Sequence, residues 1–273
     1  MTYRRQLFIA AIVLVAVANS AAAQSAKPDL NGMWGGEGRA RGREHDPQGF
    51  SFERFDRPCA VTQVDCEIGS NDGKDGEFTG RLDANKPVYK PQYWDRVQYL
   101  DMNTNWQDPV FVCQPYGLPR VGVPARIIQT DKDVVFFYRQ NGAGTAPADH
   151  RVIPTDGRPH DPVRAIDVTY YGDSVGKWEG DTLVIHSIGF NDLTWLDAGG
   201  YFHSEKMEVT ERLRREGDKL FYDVTVEDPE VLLKPWVLET KTVNLNKNPD
   251  AYLPEGQPCK DYDSTQMVNQ IRH

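Results

Sequence analysis

The chain has 273 residues, a formal net charge of -9 and 26% charged residues. Its lysines and arginines are scattered among acids, which argues against nucleic acid or an anionic membrane surface as the main partner. The length suits one large β-rich domain.

Residues 1–23 read as a secretory signal. MTYRR is a positive n-region, LFIAAIVLVAVA an apolar stretch and SAAAQ a small-residue cleavage site. The apolar stretch is shorter than the roughly 20 residues of a membrane span. Cleavage after Ala23 would give a periplasmic or secreted protein with no membrane span and residues 24–273 as a single domain. Four cysteines, Cys59, Cys66, Cys113 and Cys259, form an even count that predicts disulfides in an exported chain. The short gap from Cys59 to Cys66 favours a local loop, leaving Cys113 with Cys259. A zinc site lacks the spacing it needs.

A first strand is expected at NGMWGGEG. Residues 38–108 read as a long, loop-rich excursion, rich in glycine and charge, with a short helix over PQYWDRVQYLDM (91–102) at its end. NDGKDGE within it is a turn, because Leu82 stands where a calcium loop needs its bidentate glutamate. Three hairpins follow: PARIIQT–DKD–VVFFYRQ, DSVGKW–EGD–TLVIHSIGF and KMEVTERLRR–EGD–KLFYDVTVED. Two of them turn at Glu-Gly-Asp, where glycine supplies the positive φ of a short hairpin loop. Further strands are expected at PVFVC, HRVIPT, RAIDVTYY and PWVLETKTVNL, and a C-terminal helix at DSTQMVNQIRH. Roughly eight to ten short antiparallel strands with little helix predict an all-β fold, a meander barrel of the lipocalin or calycin kind.

The glycine-x-tryptophan of PDLNGMW resembles the first strand of the lipocalins and other calycins, and GMWGGEG that of the nitrobindin haem barrels. The calycin resemblance implies that Trp34 closes one end of a barrel. PDLNGMW, CQPYGLPR, DGRPH, VGKWEGDTL, GFND and DPEVLLKPW together resemble a widespread family of secreted bacterial proteins with no assigned activity. That resemblance implies export and one domain, and it assigns no catalytic residue.

No G-x-S-x-G elbow and no Walker or dinucleotide glycine motif occurs, so covalent hydrolysis and nucleotide cofactors lack support. Six histidines remain. His45 lies in the excursion and His273 is terminal. His150 and His186 sit on expected strands, and His186 shares its parity with Val184, Ile188 and Phe190, the pattern of a core histidine.

In GGYFHSEKMEVTER, a continuous strand would put His203 and Glu205 on the face of Met207 and Val209, at the mouth of an apolar interior. The opposite parity, with Lys206 and Glu208, reads as solvated. There His203 would transfer protons with Glu205 as its partner, their pKa values tuned by burial and mutual charge. His160, after the turn PTDGRPHDP, and Asp192 would orient the site, and Arg158 would hold an anionic group. Trp178, Trp195 and Tyr201 would wall a cavity for a small, largely apolar or aromatic substrate.

The expectation is therefore an exported enzyme doing acid/base chemistry of the lyase or isomerase type, with no cofactor. A non-catalytic lipocalin-like carrier is the alternative. A second alternative is a metal enzyme holding its ion on His160, His203 and Glu205, with His186 as another choice of third ligand. Oligomeric state is left open.

Overall fold

The computed structural model describes residues 27–35, 86–139 and 149–254. The expected signal, Cys59, Cys66, Cys259, most of the 38–108 excursion and the C-terminal helix lie outside them. Strands dominate. β1 (Gly32–Met33), β2 (Arg126–Gln129), β3 (Asp133–Phe137) and β4 (His150–Pro154) form one antiparallel sheet in chain order.

A second antiparallel sheet contains β5 (Asp173–Glu179), β6 (Thr182–Ile188), β9 (Glu208–Glu216) and β10 (Lys219–Glu227) side by side. β11 (Trp236–Val237) and β12 (Lys241–Asn244) both pair with β10. Between β6 and β9 the chain makes a small hairpin of β7 (Trp195–Asp197) and β8 (Tyr201–Phe202). No helix among the described residues is long and apolar enough to cross a membrane.

The three expected hairpins are β2–β3, β5–β6 and β9–β10. Gly180 and Gly217 in the two Glu-Gly-Asp loops take φ of 65° and 57°, the left-handed conformation that glycine enters without a Cβ clash. α1 (Trp94–Met102) lies within the expected helix and buries Trp94, Val97 and Leu100.

Two expected strands are absent. PVFVC forms a 3-10 turn over Pro109–Val112, because Asp108 caps it by accepting from the Val110 N–H at 3.2 Å. The arginine side chain of Arg120 holds that carboxylate through two hydrogen bonds, at 2.7 and 2.6 Å. RAIDVTYY also fails to form a strand. Asp161 accepts from the Val163 and Arg164 N–H groups and winds the segment into turns, and only Thr169 makes a bridge, to Phe190.

The two sheets meet at one seam, where Trp34 bridges Leu245. There Gly35 N–H donates to Asn244 at 2.7 Å and Asn246 N–H to Met33 at 2.8 Å. At the other seam β4 runs beside β5, but no ladder joins them among the described residues. The expected closed lipocalin-like barrel is therefore not seen as a continuous ladder.

Alternation sets the interior. Ile127, Val134, Phe136, Ile153, Leu183, Ile185, Val209, Leu213, Leu220 and Val224 are all buried at inward positions. Burying such side chains contributes about 1.5–3 kcal/mol each. The same inward parity carries polar residues. Arg151 on β4 donates to Tyr138 at 3.1 Å, Glu211 at 3.0 Å, Ser174 at 2.9 Å and Ser187 at 3.1 Å. Tyr222 donates to Glu211 at 2.8 Å. Burial pulls the Arg151 pKa down, but Glu211 and Tyr138, through charge and hydrogen bonds together, outweigh it and raise the pKa above its ordinary value, so the guanidinium stays charged.

Candidate acid/base site

His203 and Glu205 do not share a strand face. β8 ends at Phe202, β9 begins at Glu208, and Glu205 and Lys206 form an exposed turn between them. The turn is dictated from a distance. Asp228, buried at the end of β10, accepts from the Ser204 N–H at 2.7 Å and its hydroxyl at 2.9 Å. Ser204 Oγ in turn accepts from the Lys206 N–H at 3.1 Å. Two consecutive residues, His203 and Ser204, are thereby pulled inside.

His203 is 1% exposed and both ring nitrogens are occupied. Nδ1–H donates to the Ser204 carbonyl at 3.1 Å, and Nε2 accepts from the Thr194 hydroxyl at 2.8 Å. Phe190 packs its ring against the imidazole at 6.4 Å. Burial pushes the imidazole below its ordinary 6.5, against the opposing pull of the Ser204 carbonyl, Asp228 and Asp192.

A stability prediction follows. Below pH 6.5 the unfolded chain takes up a proton that the folded His203 refuses, so stability falls as pH drops through that window. Urea unfolding at pH 5.5 and 7.5 should show a smaller acid loss for His203→Gln than for wild type. Equal losses would show that His203 contributes nothing to the slope.

The other expected residues scatter. Asp192 is exposed. Arg158 is exposed and bound to Asp156 in its own turn, at 2.9 and 2.7 Å. Trp178 is half-buried on β5. Trp195 and Tyr201 are buried in the β7–β8 hairpin. Tyr201 and Phe202 pack on Tyr89, with ring centroids 6.2 and 5.3 Å away.

The glycines before Tyr201 serve packing rather than a mobile rim. A Cβ on Gly200 would stand 2.6 Å from the Val97 carbonyl of α1. A groove of about 390 Å³ lies along β1 and β2 beside Asn248–Ala251, and none of the expected site residues lines it.

His160 does gain partners. Its Nδ1 lies 2.8 Å from Asp173 Oδ2 on β5, and its Nε2 lies 2.9 Å from His186 Nδ1 on β6. His186 Nε2 lies 3.1 Å from Glu208 Oε2 on β9. The result is one chain, Asp173–His160–His186–Glu208, laid across three neighbouring strands. It is graded in exposure: side chains are 6% exposed at Asp173, 20% at His160, 40% at His186 and 51% at Glu208.

A carboxylate only accepts, so His160 Nδ1–H and His186 Nε2–H both donate outward to their acids. Two bare lone pairs would then face each other at 2.9 Å. A hydrogen bond between the two rings needs a proton on one of these facing nitrogens, His160 Nε2 or His186 Nδ1.

Sequence reading missed Asp173 and Glu208 and misplaced His186. The parity of Val184, His186 and Ile188 is the outer face of the sheet, half-covered by the 158–172 segment, while Leu183, Ile185 and Ser187 face in. Among the described residues no group of three or more histidines, cysteines or acids is placed to hold a metal ion, and the set His160, His203 and Glu205 is not gathered. No described cysteine is free. No protein-family model, curated protein or solved structure matches the chain.

Proposed function

We propose that the protein is an enzyme of acid/base type whose proton-transfer centre is the Asp173–His160–His186–Glu208 chain. The single observation that supports this most is the unbroken run of contacts at 2.8, 2.9 and 3.1 Å through two imidazoles. Glu208 and His186, at the exposed end, exchange a proton with substrate. His160 and Asp173, at the sheltered end, hold the compensating charge and orient the rings.

The segment that carries His160 also exposes Val163, Ile166 and Val168. Those side chains supply an apolar surface for a small, largely apolar substrate with a removable C–H proton. Lyase or isomerase chemistry suits such a site, since it requires proton movement and no hydrolytic nucleophile.

Deuterium exchange tests this without a known natural substrate. In D2O, wild type should catalyse exchange into small enolisable ketones and aldehydes above the buffer rate. His186→Gln should lower the catalysed rate by about 10²–10⁴-fold. His150→Gln, exposed at the start of β4 and outside the chain, is the control and should change nothing. Wild-type exchange in His186→Gln would refute the assignment.

We also place the protein outside the cytoplasm, on the n-region, apolar stretch and cleavage site of residues 1–23, with its cysteines paired. N-terminal sequencing should give Gln24 as the first residue of the exported form; an intact Met1 would count against it. The two sheets are proposed to complete one barrel in the order β1–β2–β3–β4–β5–β6–β9–β10–β12. The Trp34–Leu245 bridge supports one seam of it and the run of β4 beside β5 the other.

A further inference from the structure

We propose that Lys241 is a reactive amine that captures a small aldehyde or ketone as an imine, at a site separate from the histidine chain. This goes beyond the acid/base reading and stands without it. On β12, Lys241 pairs with Tyr222 and Val243 with Leu220. Directly opposed residues of an antiparallel ladder share a face. Tyr222 and Leu220 are fully buried on the inner face of the second sheet, so Lys241 starts from that inner face.

The lysine is half-buried and its Nζ makes no hydrogen bond or ion pair among the described residues. Asp197, the acid whose charge acts on it, is already engaged. Asp197 Oδ2 pairs with Lys86 at 2.5 Å, and Asp197 Oδ1 accepts from the Ala198 N–H at 2.8 Å. Lys86 in turn lies over the Tyr201 ring, 5.5 Å from its centroid.

On the far side the backbone is bare. Gly122 has no side chain, and a Cβ there would come to 4.0 Å from Lys241 Nζ. A partly buried ammonium without a dedicated counter-ion is costly, so a lysine so placed holds its proton less firmly than an exposed one and is the more nucleophilic. Burial does push Lys241 below its ordinary 10.5; Asp197 opposes that shift and Lys86 adds to it.

The chemistry balances without an oxidant or reductant. The Nζ lone pair attacks the carbonyl carbon and the C=O π pair moves to oxygen. The nitrogen then loses its protons as the oxygen leaves as water, and the new C=N bond replaces C=O. The protonated imine is an electron sink, which would let a bond at the adjacent carbon break. Lys86 supplies positive charge close by, which favours a carbonyl substrate bearing an anionic group.

Trapping tests the proposal directly. The full exported protein is incubated near neutral pH with pyruvate or propanal and sodium cyanoborohydride, which delivers hydride to an imine, and modified lysines are mapped by mass spectrometry. Lys241 should be alkylated several-fold faster than exposed Lys219. Lys241→Met should abolish that adduct with an unchanged circular dichroism spectrum. His186→Gln should leave labelling at Lys241 intact, so failure here and failure of the histidine chain are read separately. Labelling of Lys241 no faster than Lys219 overturns the proposal.

Discussion

Arg151→Met should lower the unfolding free energy by about 3–5 kcal/mol, the usual cost of removing one partner of a buried ion pair. Arg151 is 5% exposed and Glu211 is fully buried. The guanidinium reaches Glu211 Oε2 at 2.7 Å and supplies hydrogen bonds to Tyr138, Ser174 and Ser187 besides. Methionine fills much of the space but leaves a carboxylate facing only the Tyr222 hydroxyl. The loss comes from that stranded charge rather than from missing volume. Arg151→Met with Glu211→Leu should therefore recover most of the stability, since the pair itself is worth little against a well-packed apolar isostere. Urea unfolding of the two single variants and the double variant measures this. A single-variant loss under about 1 kcal/mol would show that the interior is open to water at Glu211.

Trp34→Ala should cost about 3–5 kcal/mol, the range for a large buried aromatic. The side chain is 2% exposed, its Nε1–H donates to the Leu30 carbonyl at 3.0 Å, and Arg215 lies over its ring at 5.3 Å. It also stands on the Trp34–Leu245 bridge between the two sheets. Trp34→Phe keeps an aromatic body and loses one hydrogen bond, so its loss should be smaller by about 2 kcal/mol or more. Thermal unfolding checks both. Equal losses in the two variants would mean that the indole hydrogen bond, not packing at the seam, holds this end of the sheet.

The hairpins were legible because their information is local. Period-two alternation and a glycine at each Glu-Gly-Asp turn are both written within about twenty residues of chain. The histidine site was not local. Alternation divides a strand into two faces without saying which one the core takes. For β6 the apolar Val184 and Ile188 made the outer face look like the inner one. Placing Glu208 beside His186 requires knowing that β9, and not the intervening β7, is the neighbour of β6.

His203 and Glu205 failed for a related reason. The sequence GGYFHSEKMEV alternates well enough for a strand, but Asp228, from the far end of the next hairpin, captures Ser204 and bends the chain there. Lys241 was invisible because its significance lies in its register against Tyr222 and in the absence of a side chain at Gly122.

The proposed proton path through His160 and His186 is read directly by nitrogen-15 NMR of the two imidazoles near neutral pH. It predicts a proton on His160 Nδ1, a proton on His186 Nε2, and a third, downfield proton shared between His160 Nε2 and His186 Nδ1. An unprotonated nitrogen facing either carboxylate, or two rings that titrate independently of one another, would contradict it.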